Sequence, residues 1–156
     1  MTRIGVIGVG TVGRAVVQIL EENKSIITAR SGDEIVVKSG VVRDLSKVSD
    51  LSIILSQNPY DIIDDPEIDI VVELMGGVEL PLAVVKKALQ NGKAVVTANK
   101  ALLAYHRYEL QEIAGDIPFE FEASVAGGIP IINALRDGLS ANHIPVSYTH
   151  LAGDSQ

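Results

Sequence analysis

Apolar residues along this chain gather in short runs separated by amphipathic stretches. Residues 3–7 form the first run and read as a buried strand. From Thr11 onward, Val12, Ala15, Val16, Ile19 and Leu20 recur at helical spacing, which predicts a helix with those five on its buried face. Residues 34–42 are β-branched but interrupted at Lys38, Ser39 and Gly40, predicting a strand with a bend that ends at Arg43-Asp44. Residues 45–67 are polar and proline-bearing and read as a solvated connection. A third strand is predicted over 68–74, closed by Met75-Gly76-Gly77. Helical periodicity returns over 80–90, with Pro81 near the first turn, where a missing N–H costs least, and Asn91-Gly92 at the end. Residues 94–97 read as a fourth strand, 100–113 as a helix and 118–122 as a fifth strand running into Ala126-Gly127-Gly128. A last helix is expected over 129–141. Strands that alternate with helices predict a parallel sheet covered on both faces and joined by right-handed crossovers.

Composition narrows the classes. The 156 residues suit one domain with a fragment of a second. An apolar content of 47% with 4% aromatics excludes disorder and favours aliphatic strands and helices over aromatic stacking platforms. Thirteen Lys plus Arg against 20 Asp plus Glu leave a net charge of −7, which argues against a nucleic-acid partner. The absence of cysteine excludes disulfides, thiolate metal sites and a cysteine nucleophile, and is compatible with a reducing cytoplasm, the expected location. Arg3 followed by apolar residues resembles a signal peptide, but Gly5, Gly8, Gly10 and Gly13 recur too often for an apolar helix. The longest charge-free apolar stretch, residues 123–135, has 13 residues with two glycines and a proline, short of the ~20 a membrane-spanning helix needs. No membrane association is expected.

Gly8-Val9-Gly10-Thr11-Val12-Gly13 matches G-x-G-x-x-G between a predicted strand and a predicted helix. In that context the first glycine makes the tight turn, the second lets a pyrophosphate approach the backbone, and the third lets helix and strand pack closely. The helix N-terminus adds free N–H groups and a partial positive charge. With the alternating elements, this predicts an α/β fold of Rossmann type, doubly wound, with a mostly parallel sheet and helices on both faces. An acidic residue after the second strand would hold a ribose 2′-hydroxyl, as for NAD; an arginine would accommodate a 2′-phosphate, as for NADP. Arg43 and Asp44 offer both, 30 and 31 positions beyond Gly13 instead of the usual ~20, so the first helix and its following loop must be extended. Arg43 favours NADP. A surface arginine paired with Asp44 is the competing reading.

Ligands of open α/β sheets collect outside the carboxyl ends of the strands, and every unusual segment lies at such an end. Lys100 is placed against the positive pole of its helix, a position disfavoured by about 0.3–1 kcal/mol. With Asn99 as N-cap, Lys100 would project over the rim, able to hydrogen-bond a carbonyl oxygen or move a proton. A solvated helix lysine is the alternative. The carbonyls of residues 122–129 and the Glu122 carboxylate could line an oxygen-only cation site, although an ordinary strand-to-helix turn explains the same residues and physics alone favours it. The acids Asp61, Asp64, Asp65 and Glu67 lack ligand-loop spacing and read as a solvated face. His106, His143 and His150 have no partner spacing and take no role.

Five segments in order, Gly5-Val6-Ile7-Gly8-Val9-Gly10-Thr11-Val12-Gly13, Val41-Val42-Arg43-Asp44-Leu45, Val72-Glu73-Leu74-Met75-Gly76-Gly77, Val96-Thr97-Ala98-Asn99-Lys100-Ala101-Leu102-Leu103-Ala104 and Glu122-Ala123-Ser124-Val125-Ala126-Gly127-Gly128-Ile129-Pro130, resemble the nucleotide-binding half of the homoserine dehydrogenases. The resemblance covers residues 1–144. It implies an NAD(P)-dependent oxidoreductase that interconverts L-aspartate 4-semialdehyde and L-homoserine, the branch leading to threonine and methionine. It also implies that Gly8, Val9, Gly10, Thr11, Val12 and Gly13 hold the pyrophosphate, Arg43 the adenosine ribose or its phosphate, and Met75, Gly76 and Thr97 the rest of the cofactor. Lys100 matches the lysine beside nicotinamide and substrate. Glu122, Val125, Gly127 and Ile129 match a structural sodium site, the last three through backbone oxygens. The implied organisation is an NAD(P)-binding domain over 1–128 and a linking helix over 129–144, leading into a substrate and dimerisation domain of a homo-oligomer that this sequence does not contain. Residues 145–156 do not match the family's continuation and read as the tail of a truncated or frame-shifted sequence. Two other readings stand beside this one: a nucleotide-sensing module without catalysis, and a dehydrogenase of another amino-acid pathway, which fits the segment 97–100 poorly.

Overall fold

The structure, a computed structural model, describes residues 1–48 and 51–145; residues 146–156 of the unmatched tail lie outside the described residues. Six parallel strands form one sheet: β1 (Thr2–Ile7), β2 (Ile35–Val41), β3 (Ile54–Ser56), β4 (Ile70–Glu73), β5 (Ala94–Thr97) and β6 (Phe119–Glu120). Their order is β3-β2-β1-β4-β5-β6, so the chain runs outward from β1 in one direction and returns to continue from it in the other. The reversal lies between β1 and β4, where a doubly wound sheet opens its crevice. The predicted fold class is the one found.

The helices are α1 (Thr11–Glu22), α2 (Lys24–Ser31), α3 (Tyr60–Ile63), α4 (Glu79–Gln90), α5 (Lys100–Ala114) and the short α6 (Ile131–Asn133), which runs into a wider turn over Ala134–Gly138. One core packs α3, α4 and α5 on the sheet through Ile62, Ile63, Val84, Leu89, Leu102 and Leu110. The other packs α1 on the opposite face through Ile4, Val6, Val9, Val17 and Val72. No helix among the described residues is long and apolar enough to cross a membrane.

Three expectations change. The buried face of α1 is rotated: Val12 is 59% and Ile19 54% exposed, Ala15 is also exposed, and Gly13 and Val17 are buried. The cause is Gly13, whose close approach to the loop fixes which side of the helix meets β1. The connection over 45–67 is not merely solvated, because it contains the edge strand β3 and the short α3, whose Ile62 and Ile63 enter the core. The last helix does not run through 129–141; it is limited to α6 and the turn after it, with Ile129 63% exposed. The predicted extension before Arg43 is α2, an extra helix that follows α1 after Asn23. The predicted bend in β2 is a register shift: Ile4 pairs with Val37 and Gly5 with Ser39, leaving Lys38 as the surplus residue of a bulge.

Candidate functional site

The loop after β1 is shaped by two glycines that the protein itself requires. Gly8 has φ +106°, and a Cβ there would lie 2.8 Å from the Leu74 carbonyl group. A Cβ on Gly13 would meet the Gly8 oxygen at 2.4 Å, so helix and loop touch backbone to backbone. Gly10 differs: it is exposed and a Cβ would find no atom within 4 Å. The N–H groups of Gly8 and Val9 both donate to the Val41 carbonyl, at 3.0 and 2.9 Å, which ties the loop to β2 and buries Val9. Thr11, Val12 and Gly13 open α1, where N–H groups have no intrahelical acceptor. No side chain caps that end and its first turn holds no acid, so the positive pole is left uncompensated.

Arg43 follows β2 and is exposed; its carbonyl accepts a 2.8 Å bond from the Gln57 side chain, joining the loops after β2 and β3. Asp44 turns to its own backbone, its Oδ1 accepting the Ser46 N–H at 3.1 Å and the Ser46 hydroxyl at 2.7 Å, and caps a 3-10 turn over Leu45–Lys47.

The ends of β4 and β5 are joined by a residue to which the sequence reading gave no role. Glu73 is fully buried; its Oε1 accepts the Met75 N–H at 2.7 Å and its Oε2 the Thr97 hydroxyl at 2.6 Å. Burial pushes its carboxyl above the usual range, against the opposing pull of the Thr97, Met75 and Asn99 hydrogen bonds. Thr97 Oγ1 in turn accepts the Asn99 N–H at 3.0 Å. Asn99 is the N-cap that the sequence predicted: its Oδ1 accepts the Leu102 N–H at 3.0 Å, while its Nδ2 donates to the carbonyls of Met75 and Gly77. Met75, Gly76, Thr97 and Lys100 thus meet at one rim, with Gly76 and Lys100 exposed and Thr97 buried. The signal for Glu73 was an acidic residue set between the apolar Ile70-Val71-Val72 and Leu74.

Beyond β6, Glu122 opens a 3-10 turn over Glu122–Ser124, and the Ser124 hydroxyl donates to the Thr97 carbonyl at 2.8 Å. The Glu122 carboxylate caps α6, accepting the N–H groups of Ile132 and Asn133 at 2.8 Å each. The Ile129 carbonyl accepts the Ile131 N–H at 2.8 Å. Two of the four expected cation ligands therefore already accept hydrogen bonds, while Ala126 and Gly127 form a left-handed turn between them. Among the described residues no three His, Cys, Asp or Glu side chains converge on a metal position. The acidic group over 61–67 separates: Asp61 takes Ser56 and Asn58, Asp64 takes Asn91, and Asp65 and Glu67 take Lys38. His106 pairs with Glu109 at 3.0 Å on α5, His143 is exposed, and His150 lies outside the described residues.

A parallel sheet in this order, with a glycine loop feeding a helix at its first turn, defines a dinucleotide-binding domain. Residues 8–116 match the family model described as homoserine dehydrogenase, NAD binding domain. The chain belongs to the homoserine dehydrogenase family and carries its NAD(P)-binding domain. It is 58% identical to the homoserine dehydrogenase of Helicobacter pylori over 141 residues, 90% of this chain and 34% of that protein. The crystal structure of a homoserine dehydrogenase from Thiobacillus denitrificans superimposes with a TM-score of 0.86 at 49% identity, covering 90% of this chain and 34% of that one. A hyperthermophilic archaeal homoserine dehydrogenase in complex with NADPH gives a TM-score of 0.70 at 27% identity, over 86% of this chain and 47% of that one. The chain spans about a third of the length of the curated relatives it matches.

Proposed function

We propose that this chain is the cofactor-binding part of an enzyme that interconverts L-aspartate 4-semialdehyde and L-homoserine, using NADP in preference to NAD. The observation that carries this reading is the rim itself: an uncapped helix start and an open Gly10 lie at the same carboxyl end of the sheet as the buried Thr97 and the exposed Lys100. The N–H groups of Thr11, Val12 and Gly13 would receive the pyrophosphate, with Gly8 and Val9 shaping the loop that presents them and Gly10 leaving it room. The Arg43 guanidinium would pair with a 2′-phosphate. Asp44 gives its Oδ1 to the Ser46 N–H and hydroxyl, whereas the Arg43 side chain beside it is exposed, which supports NADP. Met75, Gly76, Thr97 and Lys100 would flank the nicotinamide. The nicotinamide cofactor, when bound, supplies or accepts a hydride. Lys100 would donate a hydrogen bond from Nζ to the aldehyde oxygen and pass it a proton as it becomes the homoserine hydroxyl, reversing both in the other direction.

The oxygen donors of Glu122, Val125, Gly127 and Ile129 suit a hard monovalent cation, because carboxylate and carbonyl oxygens that accept one N–H keep a second lone pair. Sodium there would brace the turn leading into α6. Residues 1–128 would form the cofactor domain, and 129–144 would lead to a substrate and dimerisation domain, in a homo-oligomeric cytoplasmic enzyme whose partner is a small molecule and not nucleic acid.

Fluorescence titration of the chain with NADPH and NADH tests the cofactor assignment. Both should bind, NADPH more tightly, and Arg43→Ala should weaken NADPH about tenfold while leaving NADH nearly unchanged. An unchanged preference would remove Arg43 from the 2′-phosphate. Appending the substrate domain of a homoserine dehydrogenase should restore semialdehyde reduction; cofactor binding with no turnover in that fusion would favour a sensing module.

A further inference from the structure

A fully buried carboxylate is costly, and Glu73 has no cationic partner among the described residues to offset that cost. Stability alone explains it poorly, since an apolar residue would pack this strand end without desolvating a charge. What a carboxylate offers here is two acceptors on one carbon, spanning two strand ends. The Thr97 hydroxyl has a single proton, given to Glu73 Oε2, and is thereby turned to accept the Asn99 N–H. Asn99 then caps α5 and reaches back to the carbonyls of Met75 and Gly77.

We propose that Glu73 is a positioning residue for the nicotinamide half of the dinucleotide: it locks the backbone of Met75 and the hydroxyl of Thr97 in one arrangement and, through Asn99, fixes the helix start that carries Lys100. This rests on the reading that the ends of β4 and β5 face the nicotinamide. A glutamine cannot replace it. Turned one way its amide NH₂ faces the Met75 N–H, donor against donor; turned the other, it donates to Thr97 Oγ1 and leaves the hydroxyl proton without its acceptor.

The test compares two ligands on the full 156-residue chain: NADPH, and adenosine 2′,5′-bisphosphate, which carries the adenine half without nicotinamide. Glu73→Gln should raise the Kd for NADPH about tenfold and change that for the bisphosphate less than about twofold. Thr97→Val should reproduce the selective loss, Thr97→Ser should recover most of the affinity, and the Glu73→Gln/Thr97→Val double variant should be little worse than either single one. Retained bisphosphate affinity also reports that each variant is folded. Equal losses for the two ligands would make Glu73 a folding residue and overturn the proposal, as would no loss for either. If the wild-type chain binds NADPH no more tightly than the bisphosphate, the nicotinamide reading of this rim fails in the parent protein, and the proposal falls with it.

Discussion

The two ends of the sheet handle charge in opposite ways. Near its amino ends charges are cancelled locally. The terminal amino group lies 2.7 Å from Asp33, and Lys38 Nζ lies 2.6 Å from both Asp65 and Glu67. The buried Lys93 donates to the carbonyls of Asp65 and Ile68 at 2.6 and 2.7 Å. Lys38 holds the Asp65 and Glu67 carboxyls below their ordinary range. At the carboxyl ends Glu73 is buried among neutral donors with its carboxyl pushed upward, Arg43 and Lys100 are exposed, and the start of α1 has no counter-charge. At the amino ends ion pairs close within the fold; at the carboxyl ends Arg136 pairs with Glu120 beyond β6, while after β2 and β5 the cations Arg43 and Lys100 stay exposed.

This contrast can be broken at either end. The largest effect is expected at Lys100. In an enzyme completed with its substrate domain, Lys100→Ala should lower turnover about a hundredfold while the unfolding free energy moves less than about 0.5 kcal/mol. Steady-state kinetics, dinucleotide titration and denaturant melts check it; matched losses of turnover and cofactor affinity would reduce Lys100 to a positioning role. Next is Lys93→Met, which removes the ammonium bonds to the Ile68 and Asp65 carbonyls, leaving the Asp65 carbonyl only its bond from the Ile68 N–H, and should cost about 2 kcal/mol of stability with NADPH affinity unchanged. A stable variant, or one that loses NADPH, would end the separation of the two rims. The smallest effect is expected from Lys38→Met. Carboxyls depressed in the folded state contribute stability above their ordinary range that is lost as pH falls through their lowered values. The stability gap between wild type and Lys38→Met, read from melting temperatures, should therefore be full near neutral pH and close in acid. Glu73 has the reverse sign: its raised carboxyl favours the fold while protonated, and that contribution fades as pH rises through it.

Local signals carried most of the architecture. The strand predicted over 94–97 is β5, and Asn99 caps α5 as its type and position suggested. The late position of Arg43 required an extra segment, which is α2, although no residue of α2 is buried and its own pattern gave no helix signal. What escaped the sequence depends on pairing across distance. β3 is three residues long with Ile54 68% exposed; the run Ile53-Ile54-Leu55 is too short to stand out within a polar, proline-bearing stretch, and it is a strand because Ser39, Gly40 and Val41 pair with it. The turn of α1 toward the sheet is set by a backbone contact between Gly13 and Gly8, which outweighs the spacing of Val12 and Ile19. The site divides likewise. The glycine loop and Lys100 are legible as motifs, whereas Glu73 acquires meaning only when β4 and β5 stand side by side.

The bulge in β2 carries a consequence for how this strand tolerates changes in length. Val37 packs with the α1 side and Val41 with the α4 and α5 side, although residues four apart in an unbroken strand share a face. Lys38 is the odd step that makes both placements compatible with one ladder to β1. Removing it would leave a regular alternation in which Val37, Ser39, Gly40 and Val41 keep their present partners, with Gly40 still beneath Val9. A further residue added on either side would exchange inward and outward positions instead. The strand is thus counted in ladder rungs and not in residues, and position 38 is where a deletion can go unread by the cofactor loop.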